Sequence, residues 1–289
     1  MSTTVPAAQS SATARAVPPL RDITPPKRFS PIRAGELWRA RELLFFLAQR
    51  DVKVRYKQAF IGIAWAVLQP VLMMVIFAVF LGALAKVHTT GLPYAVFAFA
   101  GLIPWLFFAN GVGSAADSLV TNANLISKVY FPRLVIPLAS VSSWLLDMVI
   151  ATLVLIAMMA VYGLAPARTV VFLPVFMVLA IISSLAVSLW LSALNVAYRD
   201  IHYAAPFFIQ IALFLTPVTF PATLLPFRYR WLFALNPMSG AVEGFRWAIT
   251  GAGHPPWAPA GASLAIAGIV LVLGLRYFRK VEQFFADVI

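Results

Sequence analysis

A carboxylate inside an apolar run is the first group in this sequence that could do chemistry. Asp147 alone interrupts the otherwise uncharged stretch from Leu134 to Tyr162. At membrane depth such a group can relay protons, gate a path, or accept hydrogen bonds between helices. Ser142, Ser143 and Thr152 are the nearby donors for the last role. A carrier driven by ions or protons needs several ionisable groups within its spans, so the energy source is expected outside this chain. Other chemistry is missing from the pattern. No GxxxxGKS/T loop is present to cradle nucleotide phosphates. No GxSxG elbow, His/Glu metal spacing or paired carboxylates on one face occur either. Ten acidic residues and no cysteine leave no disulfide, thiolate nucleophile or cysteine-ligated metal. The expectation is a chain with no catalytic residues, no metal site and no cofactor of its own.

The elements that must hold these residues are apolar helices. The 289 residues are 62% hydrophobic and 11% charged, with a mean hydropathy of +0.88. A soluble domain carries roughly 25% charged residues, so lipid must solvate much of this exterior. Ile61 to Ala85 is uncharged and as a helix would reach roughly 37 Å, enough to cross a bilayer. Leu92 to Ala116, Leu134 to Tyr162, Thr169 to Tyr198, Tyr203 to about Thr219, and Pro259 to Leu275 are the further runs. The expected fold class is an all-α integral membrane protein with six transmembrane helices. With the N-terminus inside, seventeen of the 22 lysines and arginines fall on the inner side and five on the outer. That asymmetry sets both termini in the cytoplasm. It also explains the net charge of +12 as a topology signal and lipid-headgroup contact rather than a nucleic-acid surface.

Three segments depart from plain spans. Residues 1–34 are rich in proline and small polar residues, lack the apolar core of a signal peptide, and read as a disordered cytoplasmic tail. In residues 35–57, Leu37, Leu44, Ala48, Val52 and Tyr56 recur at helical intervals beside a basic face with Arg39, Arg41, Arg50, Lys53, Arg55 and Lys57. This pattern fits an N-terminal interfacial amphipathic helix at the inner headgroups, with Trp38, Phe45 and Phe46 dipping into lipid. Residues 220–256 are too apolar for a loop, yet carry Pro221, Pro226, Pro237, Pro255 and Pro256 with Arg228, Arg230, Glu243 and Arg246. Two re-entrant helices before the last span, broken at Asn236-Pro237, would satisfy both facts if protein or a water-filled cavity covers them. A surface loop with interfacial helices is the alternative.

Aromatic residues are the remaining candidates. Their faces stack on the CH-rich faces of sugar rings without demanding one sugar, although packing and interfacial anchoring also use them. Trp65 and Phe77 of the first span, and Phe207, Phe208 and Phe214 of the fifth, are candidates for a translocation path.

Five ordered stretches carry a family resemblance. They are QRDVKVRYKQAFIGIAWAVLQPVLMMVIF (Gln49 to Phe77, with Trp65 and Gln69-Pro70), NANLISKVYFPRLVIPLA (Asn122 to Ala139), NVAYRDIHY (Asn195 to Tyr203), LNPMSGAVEGFRWAITG (Leu235 to Gly251) and the tail YFRKVEQFFADVI. In this order they cover nearly everything after residue 35. The chain resembles type-2 ABC exporter permeases, the class that includes O-antigen and teichoic-acid exporters. The resemblance implies residues 35–289 as the transmembrane domain, pairing with a second copy of itself and two copies of a separate ATPase that holds ATP and Mg. The substrate it implies is a lipid-linked glycan, carried outward on undecaprenyl diphosphate across a bacterial inner membrane. Asn122, Asn124, Leu125, Lys128 and Arg133 would form the loop that meets the ATPase. Arg50, Lys53, Arg55 and Lys57 could guide the lipid diphosphate, or serve only as topology determinants. Asn236, Pro237, Glu243 and Arg246 would belong to an external gate. A drug or lipid exporter of the same class, a secondary carrier or channel, and a membrane glycan-modifying enzyme are the rivals.

Overall fold

The computed structural model describes residues 34–57, 64–86, 89, 91–129, 131–224, 228, 231–282 and 285. The segment read as a disordered tail lies outside these residues, apart from Ala34. Every regular element among the described residues is helical. Hydrocarbon offers no partner to a backbone N–H or C=O, and a helix satisfies both within one segment.

Helices α1 (Ala34–Arg39) and α2 (Arg41–Lys57) cover the amphipathic segment. Helix α3 (Trp65–Phe77) continues as a π-helical stretch over Ala78–Leu84. Next come α4 (Tyr94–Thr121) and the short α5 (Ala123–Lys128). Helices α6 (Val135–Ser142) and α7 (Leu145–Val161) make one span broken at Ser143 and Trp144. A 3₁₀ turn (Arg168–Phe172) leads into α8 (Leu173–Ala197), followed by α9 (Ile201–Phe214), α10 (Trp231–Ala234), α11 (Ser239–Thr250) and α12 (Trp257–Glu282).

Among the described residues five helical stretches are long and apolar enough to cross a membrane: Trp65–Leu84, Tyr94–Thr121, Val135–Val161, Arg168–Ala197 and Trp257–Glu282. The segment expected as a fifth crossing is α9, only 14 residues long and about 21 Å at 1.5 Å per residue. It stops because the chain turns tightly at Leu215–Pro217: Thr216 N–H bonds to Leu213 O and Val218 N–H to Thr216 O. Pro217 has no N–H to extend the ladder. Of six expected crossings, five are helices long enough to span, and the segment expected as the fifth is a shorter apolar helix.

Helix α4 is the hub, packing against α3, α6, α7, α8, α9 and α11. It is buried along most of its length. Helix α8 packs on it and carries small buried residues, Ala180, Ser184, Ser188 and Ala193 among them. Small side chains let helices approach closely where lipid supplies no hydrophobic drive. Ser184 also returns its hydroxyl to Ala180 O at 2.8 Å, so its polarity is absorbed within the helix. A second apolar cluster gathers Leu47 of α2, Leu119 of α4, Ile126 of α5, Val135 and Ala139 of α6, Val196 of α8, and Phe278 of α12. The segments read as inner-side elements therefore meet at one end of the bundle.

Helix α11 is drawn against α12 at Gly240. A Cβ there would lie 2.5 Å from Pro259 O and from the Ala260 Cα. The obstruction is backbone, so no rotamer change relieves it. Gly268, on α12, has open space around the same position. Gly240→Ala is expected to destabilise the purified protein by about 1–3 kcal/mol, and Gly268→Ala to leave stability the same or slightly higher. Thermal unfolding in detergent of the two variants beside the parent checks this contrast.

Candidate functional site

The break between α6 and α7 is where α2 docks. Arg55, near the end of α2, donates from Nη1 to Asp147 Oδ2 at 2.5 Å and from Nη2 to Ser143 Oγ at 2.9 Å. Its guanidinium carbon lies 3.4 Å from the centre of the Trp144 ring. Tyr56 donates its hydroxyl to the other oxygen of Asp147. The two charged side chains are 23% and 15% exposed, so each compensates the other's desolvation. Burial pulls the Arg55 pKa below its ordinary value, while the carboxylates of Asp147 and Asp51 oppose that pull. Asp147 therefore finds its partners on α2, not at Ser142 or Thr152. Thr152 gives its hydroxyl to Met148 O, and Ser143 gives its own to Ser140 O while accepting from Arg55.

A cleft of about 30 Å³ opens beside this pair, lined by Trp65, Gln69, Pro70, Phe107, Asn110, Trp144 and Asp147 among others. It lies between α3, α4 and α7, and its polar groups are Gln69, Asn110 and Asp147. Among the described residues no three metal-ligating side chains gather in one place. The groups lining the cleft face a space that holds about one or two water molecules.

Nearby, Arg50 joins two of the groups read separately in the sequence. Its Nη2 donates to Asn122 Oδ1 at 2.9 Å and to Asp51 Oδ1 at 2.8 Å. Asn122 sits at the α4–α5 junction, where its amide donates to Ser118 O. Lys53 and Lys57 are exposed. On α5, Ile126 is buried and Leu125 packs on the second cluster, whereas Asn124 and Lys128 face outward. Arg133 donates to Glu282 O at the end of α12 and faces the Phe285 ring. The sequence reading passed over Asp117 of α4, which accepts from Asn195 Nδ2 at 3.0 Å and lies 2.8 Å from His202 Nδ1. The signal was available: Asn195 and His202 both lie in the NVAYRDIHY stretch, one before and one after the α8–α9 bend.

At the opposite end, Arg246 of α11 is buried among carbonyls. It donates to Phe97 O at 3.2 Å, Pro217 O at 2.9 Å and Val218 O at 2.6 Å, and lies over the Phe97 ring. Gly101 allows this approach, since a Cβ there would strike both Arg246 and Val218 O. Asn236 donates to Leu215 O and Thr216 Oγ1 and accepts from Met238 N–H. Pro237 O accepts from Ser183, and Glu243 is partly buried on α11. These residues hold the irregular chain after α9 against α4, α8 and α12. Of the aromatic candidates, Phe207, Phe208 and Phe214 are 60–66% exposed, Trp65 is 48% exposed, and Phe77 is partly buried.

Bundled apolar helices, five of them long enough to cross a membrane, with a basic helix docked at one end, define a multi-pass membrane protein. The model of the ABC-2 type transporter family matches residues 42–250, and the chain belongs to that family. It is therefore a multi-pass membrane permease. A protein of Myxococcus xanthus called O-antigen export system permease protein RfbA is 30% identical over 254 residues, covering 87% of this chain and 97% of the relative. A Klebsiella pneumoniae protein of the same name is 29% identical over 86% of this chain and 95% of its own length. The polysialic acid transport protein KpsM of Escherichia coli is 24% identical over 81% and 91%.

Lysine offers a point charge where Arg246 uses a planar fork against three carbonyls. Arg246→Lys is expected to lower stability by about 2–3 kcal/mol and to expose the segment after α9 to protease. Unfolding curves and limited proteolysis report the two effects separately.

Proposed function

We propose that this chain is the permease half of an ATP-driven exporter that moves a lipid-linked, O-antigen-like polysaccharide outward across a bacterial inner membrane. The observation that carries this reading is similarity to permeases named for O-antigen export, over 87% of this chain and 97% of the length of one of them. The sequence adds a physical reason for a partner: it has no phosphate loop to bind ATP. Two copies of the chain would pair with two copies of an ATPase, which would supply ATP and Mg. Both termini would lie in the cytoplasm, as the distribution of lysine and arginine requires. Helix α9 with the chain beyond it would make the sixth crossing, and α10–α11 would be the re-entrant outer element.

Each group of candidate residues has a place in this scheme. Helix α5 and its flanks, with Asn122, Asn124, Leu125, Lys128 and Arg133, would meet the ATPase. It is short, rooted by Ile126 and Leu125 in the cluster shared by α2, α6, α8 and α12, and so able to pass a push into several helices. Arg50, Lys53, Arg55 and Lys57 would receive the lipid diphosphate at the inner leaflet. Trp65, Phe77, Phe207, Phe208 and Phe214 would line the glycan path, stacking on sugars in sequence-tolerant fashion. Asn236, Pro237, Glu243 and Arg246 would brace the external gate. A capsule-like polymer is a second reading, favoured by the likeness to a polysialic acid transport protein.

Deleting the gene is expected to remove the surface glycan, with lipid-linked polymer accumulating inside; intact surface glycan would overturn the reading. In the reconstituted complex, Lys128→Glu is expected to lower substrate-coupled ATP hydrolysis by about tenfold while the permease stays folded. Unchanged hydrolysis and association would remove α5 from the ATPase contact. Replacing Phe207, Phe208 and Phe214 together by alanine is expected to stop glycan export without releasing the ATPase; normal export removes the stacking role.

A further inference from the structure

Among the described residues, two of the five long helical stretches run without an interior break. Trp65–Leu84 carries Pro70 and a π-helical end, Tyr94–Thr121 carries Pro104, and Val135–Val161 is interrupted at Ser143 and Trp144. Interior proline removes a ladder bond and lets a helix bend. Helix α12 has its one proline, Pro259, in the first turn, where a backbone N–H would have no intrahelical partner. Helix α8 likewise has Pro174 at its start. The two stiff helices are fastened side by side. Trp190 of α8 donates from Nε1 to Val270 O at 3.0 Å, stacks on Tyr277, and leaves no room for a Cβ on Gly274.

Each end of α12 grips an irregular segment. Near its start, Ser263 accepts from Gly240 N–H at 2.9 Å and donates to Asn236 O at 3.1 Å. At its far end the grip is on the connection between α5 and α6. Arg133 donates to Glu282 O, one of the last carbonyls of α12, which no intrahelical donor serves and where the helix dipole is negative. The backbone around Arg133 is fixed, because Pro132 O and Arg133 O accept from Val135 and Ile136 N–H and Leu134 is buried. Phe285, three residues past α12, is fully buried, edge-on to Phe278 at 5.3 Å and facing Arg133. It belongs to the cluster in which Ile126 of α5 is rooted.

We infer that α12 is the rod that carries motion from the α5–α6 connection to the segment Asn236–Gly240, with Arg133 and Phe285 as its inner positioning residues and Ser263 as its outer one. Coupling between distant sites is carried by rigid elements and their bonded contacts. The anchors on α12 lie roughly 28 Å apart along one unbroken helix, whereas α3 and α4 each contain a proline. This rests on the reading above in which α5 meets the ATPase and the chain after α9 is the outer gate. Arg133 serves that reading by holding α12 through its guanidinium.

The chain has no cysteine, so Leu235→Cys places a single reporter at an exposed position beside Asn236. Its labelling by a membrane-impermeant maleimide is measured in the permease–ATPase complex in nanodiscs, without nucleotide and with ATP and Mg. The two rates are expected to differ at least about fivefold. Arg133→Gln, Phe285→Ala and Ser263→Ala are each expected to abolish that difference. Arg133→Lys, which keeps a cation at the helix end, is expected to restore most of it, and Gly268→Ala, which meets open space on the same helix, to leave it intact. A difference that survives in Arg133→Gln and Ser263→Ala proteins shown to be folded by thermal unfolding, or that the parent lacks, overturns the inference. So does equal loss in Gly268→Ala. If Lys128→Glu leaves hydrolysis and association unchanged while these variants behave as expected, α5 loses the ATPase contact and the rod stands. The converse result removes the rod alone.

Discussion

Hydrocarbon leaves a backbone polar group no partner outside the protein, and the structure follows from how each such group is satisfied. Where the chain is regular, helices do this by themselves, and polar side chains such as Ser184 and Thr152 return their hydroxyls to their own helix. Where the chain is irregular, something else must reach in. After α9 that task falls to Arg246, which collects the carbonyls of Phe97, Pro217 and Val218. Asn236 does the same for Leu215 O. One buried arginine thereby joins the start of α4, the turn after α9, and α11.

At the other end the governing term is charge. A carboxylate in a span demands a cation, and the nearest available one is on the amphipathic helix that precedes α3. Pairing Asp147 with Arg55 therefore docks α2 onto the break between α6 and α7. Asp147 and Trp144 also form one wall of the cleft that Trp65 and Gln69 line. Arg50 and Asn122 tie α2 to the α4–α5 junction close by. Helix α2, the α6–α7 span and the α4–α5 junction are thus linked through two arginines on one helix, spaced five residues apart. The α4–α5 junction and the edge of the cleft are thereby braced against the same helix.

Several features were legible from residue type and order. Uncharged runs located the long helices because hydropathy and length decide whether a segment can enter lipid. The pattern of residues 35–57 marked helix, which the structure divides into α1 and α2 at Ala40, and the motif order marked the family that the match over residues 42–250 bears out. The length of α9 was not legible, because hydropathy continues past Phe214 while the backbone turns at Leu215–Pro217. Asp147 was visible as an oddity, but local spacing pointed to Ser142, Ser143 and Thr152. Its main partner lies 92 residues away, and no periodicity encodes a contact at that separation.

Composition and charge order by themselves determined that the chain is a helical membrane protein without a nucleotide loop, since those properties depend on residues one at a time or in short windows. Only the tertiary structure decided what the solitary carboxylate does. Burying Asp147 requires a cation in direct contact, and eleven lysines and arginines precede the first span. Which of them serves depends on how α2 lies across the α6–α7 break. That geometry selects Arg55, with Tyr56 beside it and Trp144 over its face, and so turns an isolated acid into one side of a site.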